Sequence, residues 1–152
     1  RQRVPGGNPG GGPLEDAHER EVGDLAGHDG RREEEEQEAG QGGPGEEAAK
    51  AAGYDVVVAK HQFRANSRAM IIGETDGLVK IIAKKNPDGS AGQVLGVHMV
   101  GPWVTEQLSG GYLAVNWEAT VEEIAHFIQP HPSLSELFGE TVMSLTGRSI
   151  NA

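Results

Sequence analysis

One histidine near the end of the chain stands between two prolines, with an acidic residue five positions further on. His131 lies between Pro130 and Pro132, and Glu136 follows. Each proline fixes its own φ and disfavours helical geometry in the residue before it, so we expect His131 on stiff, extended backbone just ahead of a helix. A carboxylate in the first turn of that helix would bond one ring nitrogen and leave the other free. Because histidine changes charge near neutral pH, this spacing indicates a general acid–base pair.

The same residues also fit a purely structural interpretation. Ser133 and Glu136 have the spacing of a capping box, in which a serine caps a helix and a glutamate bonds back to the serine's backbone. Glu136 would then only close the helix end. Taken alone, these residues favour the structural interpretation. The catalytic interpretation is supported by other motifs along the chain. The two interpretations are compatible, since the pair can serve both purposes.

Composition excludes several kinds of site. The 152 residues include no cysteine, which excludes a disulfide, a thiolate metal site and a thiol nucleophile on this chain, and which fits a cytoplasmic protein. The net charge of −10 disfavours binding to nucleic acid. The sequence shows no membrane-spanning apolar run, no secretory leader and no histidines at metal-ligand spacing. We therefore expect no membrane association and no metal site.

The composition of the chain changes near residue 45. Residues 1–45 hold 12 of the 23 glycines and no aromatic residue, and four consecutive glutamates occupy 33–36. This composition is typical of disorder, so we interpret 1–45 as an acidic, glycine-rich tail. Residues 46–152 contain all the aromatic residues and are numerous enough for one domain with its own core.

The order of secondary-structure signals predicts the fold class of this domain. The predicted elements are a helix at 46–52, strands at 54–63, 78–83 and 93–100, and helices at 103–117, 120–126 and 133–145. The turn signal Asn86-Pro87-Asp88-Gly89 joins the second and third strands as a hairpin. The sequence therefore predicts an α+β fold, an antiparallel sheet with helices packed on one face, preceded by a disordered tail.

Motifs spread over the domain occur in the order typical of one enzyme family. They are Glu47–Asp55, then Ala65–Ala69 with Gly77–Lys80, then Leu95–Pro102 with Glu106, and finally His131–Glu136. Together they resemble the C-terminal dimerisation, or interface, domain of the flavin- and pyridine-nucleotide-dependent disulfide oxidoreductases. Within that family the motifs are most similar to those of the dihydrolipoamide dehydrogenases.

This resemblance implies roles for particular residues. His131 would be the acid–base catalyst of thiol–disulfide exchange, and Glu136 would hold its ring. The pair would act across a homodimer interface on the disulfide of the other subunit, and the backbone of His131 and Pro132 would contact that subunit's flavin. The resemblance also implies FAD and NAD as cofactors, dihydrolipoamide as substrate, and lipoamide-bearing complex subunits as partners. The chain would then be a C-terminal fragment without a complete site for either cofactor, and inactive alone.

The sequence also departs from the family pattern. It lacks the redox cysteines and any Gly-x-Gly-x-x-Gly nucleotide motif, and Gln129 stands where many members have a second histidine. Charged residues and glycines occupy the place of the family's first strand, so we expect the sheet to lack that strand and to expose an edge. The abrupt change near Gly45 suggests the hypothesis that 1–45 was translated from a shifted reading frame; a genuine acidic tail is the alternative.

Two other functions remain open from the sequence. The chain could be a non-catalytic homodimerisation module whose aromatic helix, containing Trp103, Tyr112 and Trp117, pairs with a copy of itself. It could also be the same domain of a related flavin disulfide reductase that acts on a different disulfide.

Overall fold

Four antiparallel strands form one sheet, in the order β1-β4-β3-β2, in a computed structural model that describes residues 38–150. The strands are β1 (Glu38–Gly42), β2 (Val56–Gln62), β3 (Leu78–Lys85) and β4 (Ala91–Gly101). The hairpin prediction is confirmed, because β3 pairs with β4 directly. Its turn is closed by Asp88, whose carboxylate accepts from the backbone N–H of Ser90 at 2.9 Å.

Within the described residues, two α-helices lie between the first three strands, and three more follow the last strand. They are α1 (Glu46–Ala51), α2 (Ser67–Ile72), α3 (Val104–Asn116), α4 (Val121–Ala125) and α5 (Glu136–Ser144). The predicted α+β fold is confirmed. The last helix begins three residues later than predicted, at Glu136, because the residues just after Pro132 form a turn. None of the described helices is long and apolar enough to span a membrane.

The main core lies between the sheet and helices α3 to α5. Alternation along β3 directs Ile81 into this core and its neighbour Ile82 into a smaller cluster on the opposite face. That smaller cluster contains Ala49 of α1, so α1 covers part of the face that the other helices leave open. The main core places Leu137 and Val142 of α5 against the sheet, and this packing fixes the start of α5.

β1 overturns the prediction that the first strand is missing. Glu38 to Gly42 pairs with β4 in a regular antiparallel register. Its glycines face α3 closely, since a Cβ on Gly40 would lie 2.8 Å from Leu108 Cδ2. These glycines were assigned to the disordered tail, but they permit close approach of a helix. The predicted tail therefore does not include 38–42; its residues 1–37, and the reading-frame hypothesis about them, lie outside the described residues.

β1 also caps α3. The residue before this helix, Trp103, has a left-handed φ of 56° and makes no side-chain cap. Instead the Glu38 carboxylate accepts from the Thr105 hydroxyl at 2.6 Å and from the Thr105 N–H at 3.1 Å. Both bonds lower the pKa of Glu38, and the bond from the Thr105 hydroxyl has the larger effect. An acidic group at the start of a helix is also favoured by the helix dipole.

Candidate active site

His131 and Glu136 form a direct hydrogen bond at the start of α5. The distance from His131 Nδ1 to Glu136 Oε1 is 2.8 Å. An ionised carboxylate can only accept, so in the neutral ring Nδ1 carries the proton and Nε2 keeps its lone pair. The His131 side chain is 69% exposed, whereas that of Glu136 is 23% exposed. The pair therefore presents an oriented, accessible base from a partly buried support.

The second oxygen of Glu136 makes the backbone contact of a capping box. Oε2 accepts from the Ser133 N–H at 2.7 Å. The other half of the box is absent, because the Ser133 hydroxyl bonds the hydroxyl of Ser135 at 3.0 Å instead of a helix N–H. Glu136 thus makes both predicted contacts, one with each carboxylate oxygen. The Ser133 bond holds the carboxylate in place for the imidazole.

Asn66 supports this loop from the opposite side, a role that was not predicted from the sequence. Its Nδ2 donates to the Ser133 carbonyl at 3.0 Å, and its Oδ1 accepts from the Ala69 N–H as the N-cap of α2. Asn66 is only 4% exposed. An asparagine ahead of a short helical run is a recognisable cap. The bond to Ser133, which is 67 residues away, has no sequence signal.

A small cavity lies behind the pair. It has a volume of about 130 Å³, and its lining includes His61, Asn66, His131 and Glu136. His61 belongs to β2, and its Nδ1 is buried without a hydrogen-bond partner among residues 38–150. A buried polar atom without a partner costs free energy. His61 lies within the predicted strand 54–63, and no motif in the sequence marks it.

The remaining histidines in the domain have local partners. His98 in β4 has Nε2 3.1 Å from the Pro44 carbonyl. His126 bonds the Glu122 carbonyl of its own helix at 2.8 Å. Across residues 38–150 no group of three or more potential ligands is arranged to hold a metal ion. Gln129 packs on Gly139 of α5, where an added Cβ would lie 2.8 Å from its Cγ.

An apolar surface lies on the outer side of α3 and continues to α4. Its exposed large side chains are Trp103, Tyr112, Leu113, Trp117, Phe127 and Ile128. A groove of about 600 Å³ runs through it, with Leu113, Trp117 and Phe127 in its walls. Exposed apolar side chains around a groove, as at Leu113, Trp117 and Phe127, are typical of a protein–protein interface.

A comparison with known families matches residues 36–142 to "Pyridine nucleotide-disulphide oxidoreductase, dimerisation domain". The match covers well over half of the chain. The chain belongs to this family. The dimerisation domain so identified begins at residue 36, ahead of β1, which agrees with the presence of the first strand and corrects our placing of its start at 46.

Individual relatives agree with this assignment. Dihydrolipoyl dehydrogenase of Bacillus subtilis is 42% identical over 114 residues, which are 75% of this chain and 23% of the relative. The enzyme of the same name from Rhizobium etli is 44% identical over 107 residues, 70% of this chain and 21% of the relative. The chain therefore spans less than a quarter of the length of these curated relatives.

Solved structures show the same fold. LpdA from Mycobacterium tuberculosis has a TM-score of 0.65 at 27% identity, over 72% of this chain and 23% of that one. The flavoprotein disulfide reductase RclA from Escherichia coli has a TM-score of 0.63 at 22% identity, over 69% and 23%. The dimerisation domain is thus of the dihydrolipoyl dehydrogenase type, in a family of FAD- and NAD-dependent enzymes, and the family supports the predicted homodimer.

Proposed function

We propose that this dimerisation domain supplies the acid–base pair of a dihydrolipoamide dehydrogenase, acting across a homodimer on the disulfide of the partner subunit. One observation carries the proposal. The His131 imidazole, 69% exposed, donates from Nδ1 to the Glu136 carboxylate at 2.8 Å, and this bond fixes its tautomer. A buried imidazole, or a carboxylate turned away from it, would have contradicted the proposal. Because the chain covers under a quarter of its relatives, the rest of the enzyme must supply the disulfide and the cofactor sites.

The proton balance of the reaction explains why such a base is needed. A thiol of dihydrolipoamide must lose its proton to attack a disulfide, and the departing sulfur must then gain one. In each of the two successive exchanges, His131 Nε2 takes the proton from the attacking thiol and returns it to the leaving sulfur. The Glu136 carboxylate stabilises the imidazolium that exists between these two transfers. The substrate dithiol ends as a disulfide, and the disulfide of the partner subunit ends as a dithiol.

The contribution of this chain to the cofactors is limited to one edge of the site. Residues 38–150 form a single antiparallel sheet with flanking helices, without the strand–glycine turn–helix unit that cradles a dinucleotide. Both His131 and Pro132 are exposed, which supports the proposal that their backbone contacts the partner subunit's flavin. That flavin supplies the two-electron transfer that connects the dithiol to NAD. A cytoplasmic location and lipoamide-bearing complex subunits as partners stay predictions.

A chimaera tests the proposal directly. Residues 36–152 replace the matching part of Bacillus subtilis dihydrolipoyl dehydrogenase, and NAD-dependent oxidation of dihydrolipoamide is measured. His131→Gln should reduce turnover by about 10²- to 10⁴-fold, the range for loss of a general acid–base group. His98→Gln is the matched control, because His98 bonds only a carbonyl beside the sheet. Equal turnover of the His131→Gln chimaera and its parent would refute the proposal.

A non-catalytic homodimerisation module is the second candidate. The exposed apolar surface on α3 favours it, with Trp117 76% and Leu113 49% exposed. In this case His131→Gln would leave the chimaera fully active, whereas Trp117→Glu would weaken the dimer in sedimentation. A third candidate, a related flavin disulfide reductase, predicts turnover with another disulfide, such as glutathione disulfide, in preference to dihydrolipoamide.

A further inference from the structure

Asn66 connects the start of α2 to the loop that carries His131. Its backbone is held on both sides, because its N–H donates to the Phe63 carbonyl at 2.8 Å and its carbonyl accepts from the Met70 N–H at 3.1 Å. Phe63 is fully buried in the core. The side chain of Asn66 therefore projects from backbone that is hydrogen-bonded through both its N–H and its carbonyl.

The cap fixes which way the amide of Asn66 points. Oδ1 must face the Ala69 N–H, 2.9 Å away, because the opposite orientation would oppose two donors. Nδ2 is then directed at the Ser133 carbonyl at 3.0 Å. Helix capping alone would require only the oxygen, and serine, threonine or aspartate would provide it equally well. The donor is the property that distinguishes asparagine at this position.

Ser133 is held through both of its backbone polar groups. Asn66 bonds its carbonyl, and the Glu136 carboxylate bonds its N–H at 2.7 Å. The other oxygen of Glu136 bonds His131. A continuous series of hydrogen bonds therefore runs from the core, through Asn66 and Ser133, to Glu136 and the imidazole.

We propose that Asn66 is a positioning residue, which holds the Ser133 backbone so that Glu136 can orient His131. This inference rests on the proposed function for its catalytic meaning, but the orientation itself can be measured without turnover. Loss of the donor should release the Ser133 carbonyl and let the loop move away from α2. The imidazole would then lose its fixed tautomer, because the carboxylate that selects it would no longer be held.

The test uses the full 152-residue chain and long-range ¹H–¹⁵N spectra of its histidine rings, recorded where the rings are neutral. Asn66→Asp keeps the cap but turns an acceptor toward the Ser133 carbonyl, and Asn66→Ser keeps a capping hydroxyl without the donor. We expect the ratio of Nδ1–H to Nε2–H tautomer of His131 to fall about tenfold in both, the effect of losing roughly one hydrogen bond. In the chimaera, kcat should fall more than KM changes.

Thr120→Ala is the matched control. Thr120 caps α4 in a complete capping box with Glu123, so its loss weakens a helix start away from His131. The control should lower thermal stability and leave the His131 tautomer unchanged. If both Asn66 variants retain the wild-type tautomer while folded, Asn66 only caps α2 and the inference is wrong. If the tautomer changes but the His131→Gln chimaera stays active, the positioning is correct and the proposed function is wrong.

Discussion

Two adjacent glycines in α3 provide a direct measure of how closely this helix lies on the sheet. Gly110 is exposed, and a Cβ added to it would have no atom within 4 Å. Gly111 is buried, and its added Cβ would lie 2.8 Å from Val97 Cγ1 and 3.1 Å from Val97 Cβ. Alanine at the two positions therefore makes the same chemical change in two opposite environments.

The expected magnitudes follow from two terms. Alanine is better than glycine in a helix interior by about 1 kcal/mol, and this gain applies at both positions. An added methyl in a well-packed site costs about 1–3 kcal/mol, and this cost applies only at Gly111. Gly110→Ala should therefore raise the free energy of unfolding by about 1 kcal/mol. Gly111→Ala should be less stable than Gly110→Ala by about 1–3 kcal/mol.

Denaturant unfolding of the full chain measures this difference. Both variants are unfolded at the same protein concentration, and the slopes of the free energy of unfolding against denaturant concentration are compared. Since the propensity term cancels between the two variants, the difference reports the steric term alone. Equal free energies of unfolding would mean that α3 does not lie against Val97 as described. A Gly111→Ala variant more stable than Gly110→Ala would refute the packing of α3 on β4 altogether.

Three further changes test other features. Glu118 has a left-handed φ of 55°, which glycine adopts without strain and alanine does not. The free energy of unfolding of Glu118→Gly should therefore exceed that of Glu118→Ala by about 1 kcal/mol. Equal denaturation midpoints for the two variants would contradict this. His61→Phe removes a buried nitrogen that has no partner among the described residues. It should stabilise the chain by about 1 kcal/mol in the same assay and leave the tautomer of His131 unchanged. Hydrogen bonds from Lys50 and Lys80 lower the pKa of Glu46 from 4.5 to about 2, so this carboxylate contributes stability that is present above pH 4.5 and lost as the pH falls toward 2. The variant Glu46→Gln should lose less stability over that interval, and parallel pH curves for variant and wild type would show that the ion pairs are not responsible.

The parts of the fold that local chemistry determines could be predicted from the sequence. The β3–β4 hairpin was predictable because its turn residues and flanking β-branched runs are adjacent in the chain. The capping box of α4 was predictable for the same reason, since Thr120 and Glu123 lie three positions apart. The spacing of His131 and Glu136 likewise indicated the bond that the structure contains.

The parts that were missed depend on partners distant in the chain. The glycines of β1 have low strand propensity, and they form a strand because α3 packs against them and β4 pairs with them. The Asn66–Ser133 bond joins residues 67 positions apart, so neither residue reveals the other. The unpartnered nitrogen of His61 becomes visible only when the surrounding side chains are in place.

The short first strand has a practical consequence for anyone preparing a smaller form of this protein. A clone that starts at the change in composition near residue 45 would delete Glu38, and with it the carboxylate that caps the Val104–Asn116 helix. It would also remove β1, which pairs with the outer edge of β4. The exposed amide and carbonyl groups of β4 could then pair with a strand of another molecule, which leads to aggregation. Such a truncation should precipitate during purification, whereas one that begins at residue 36 should remain in solution.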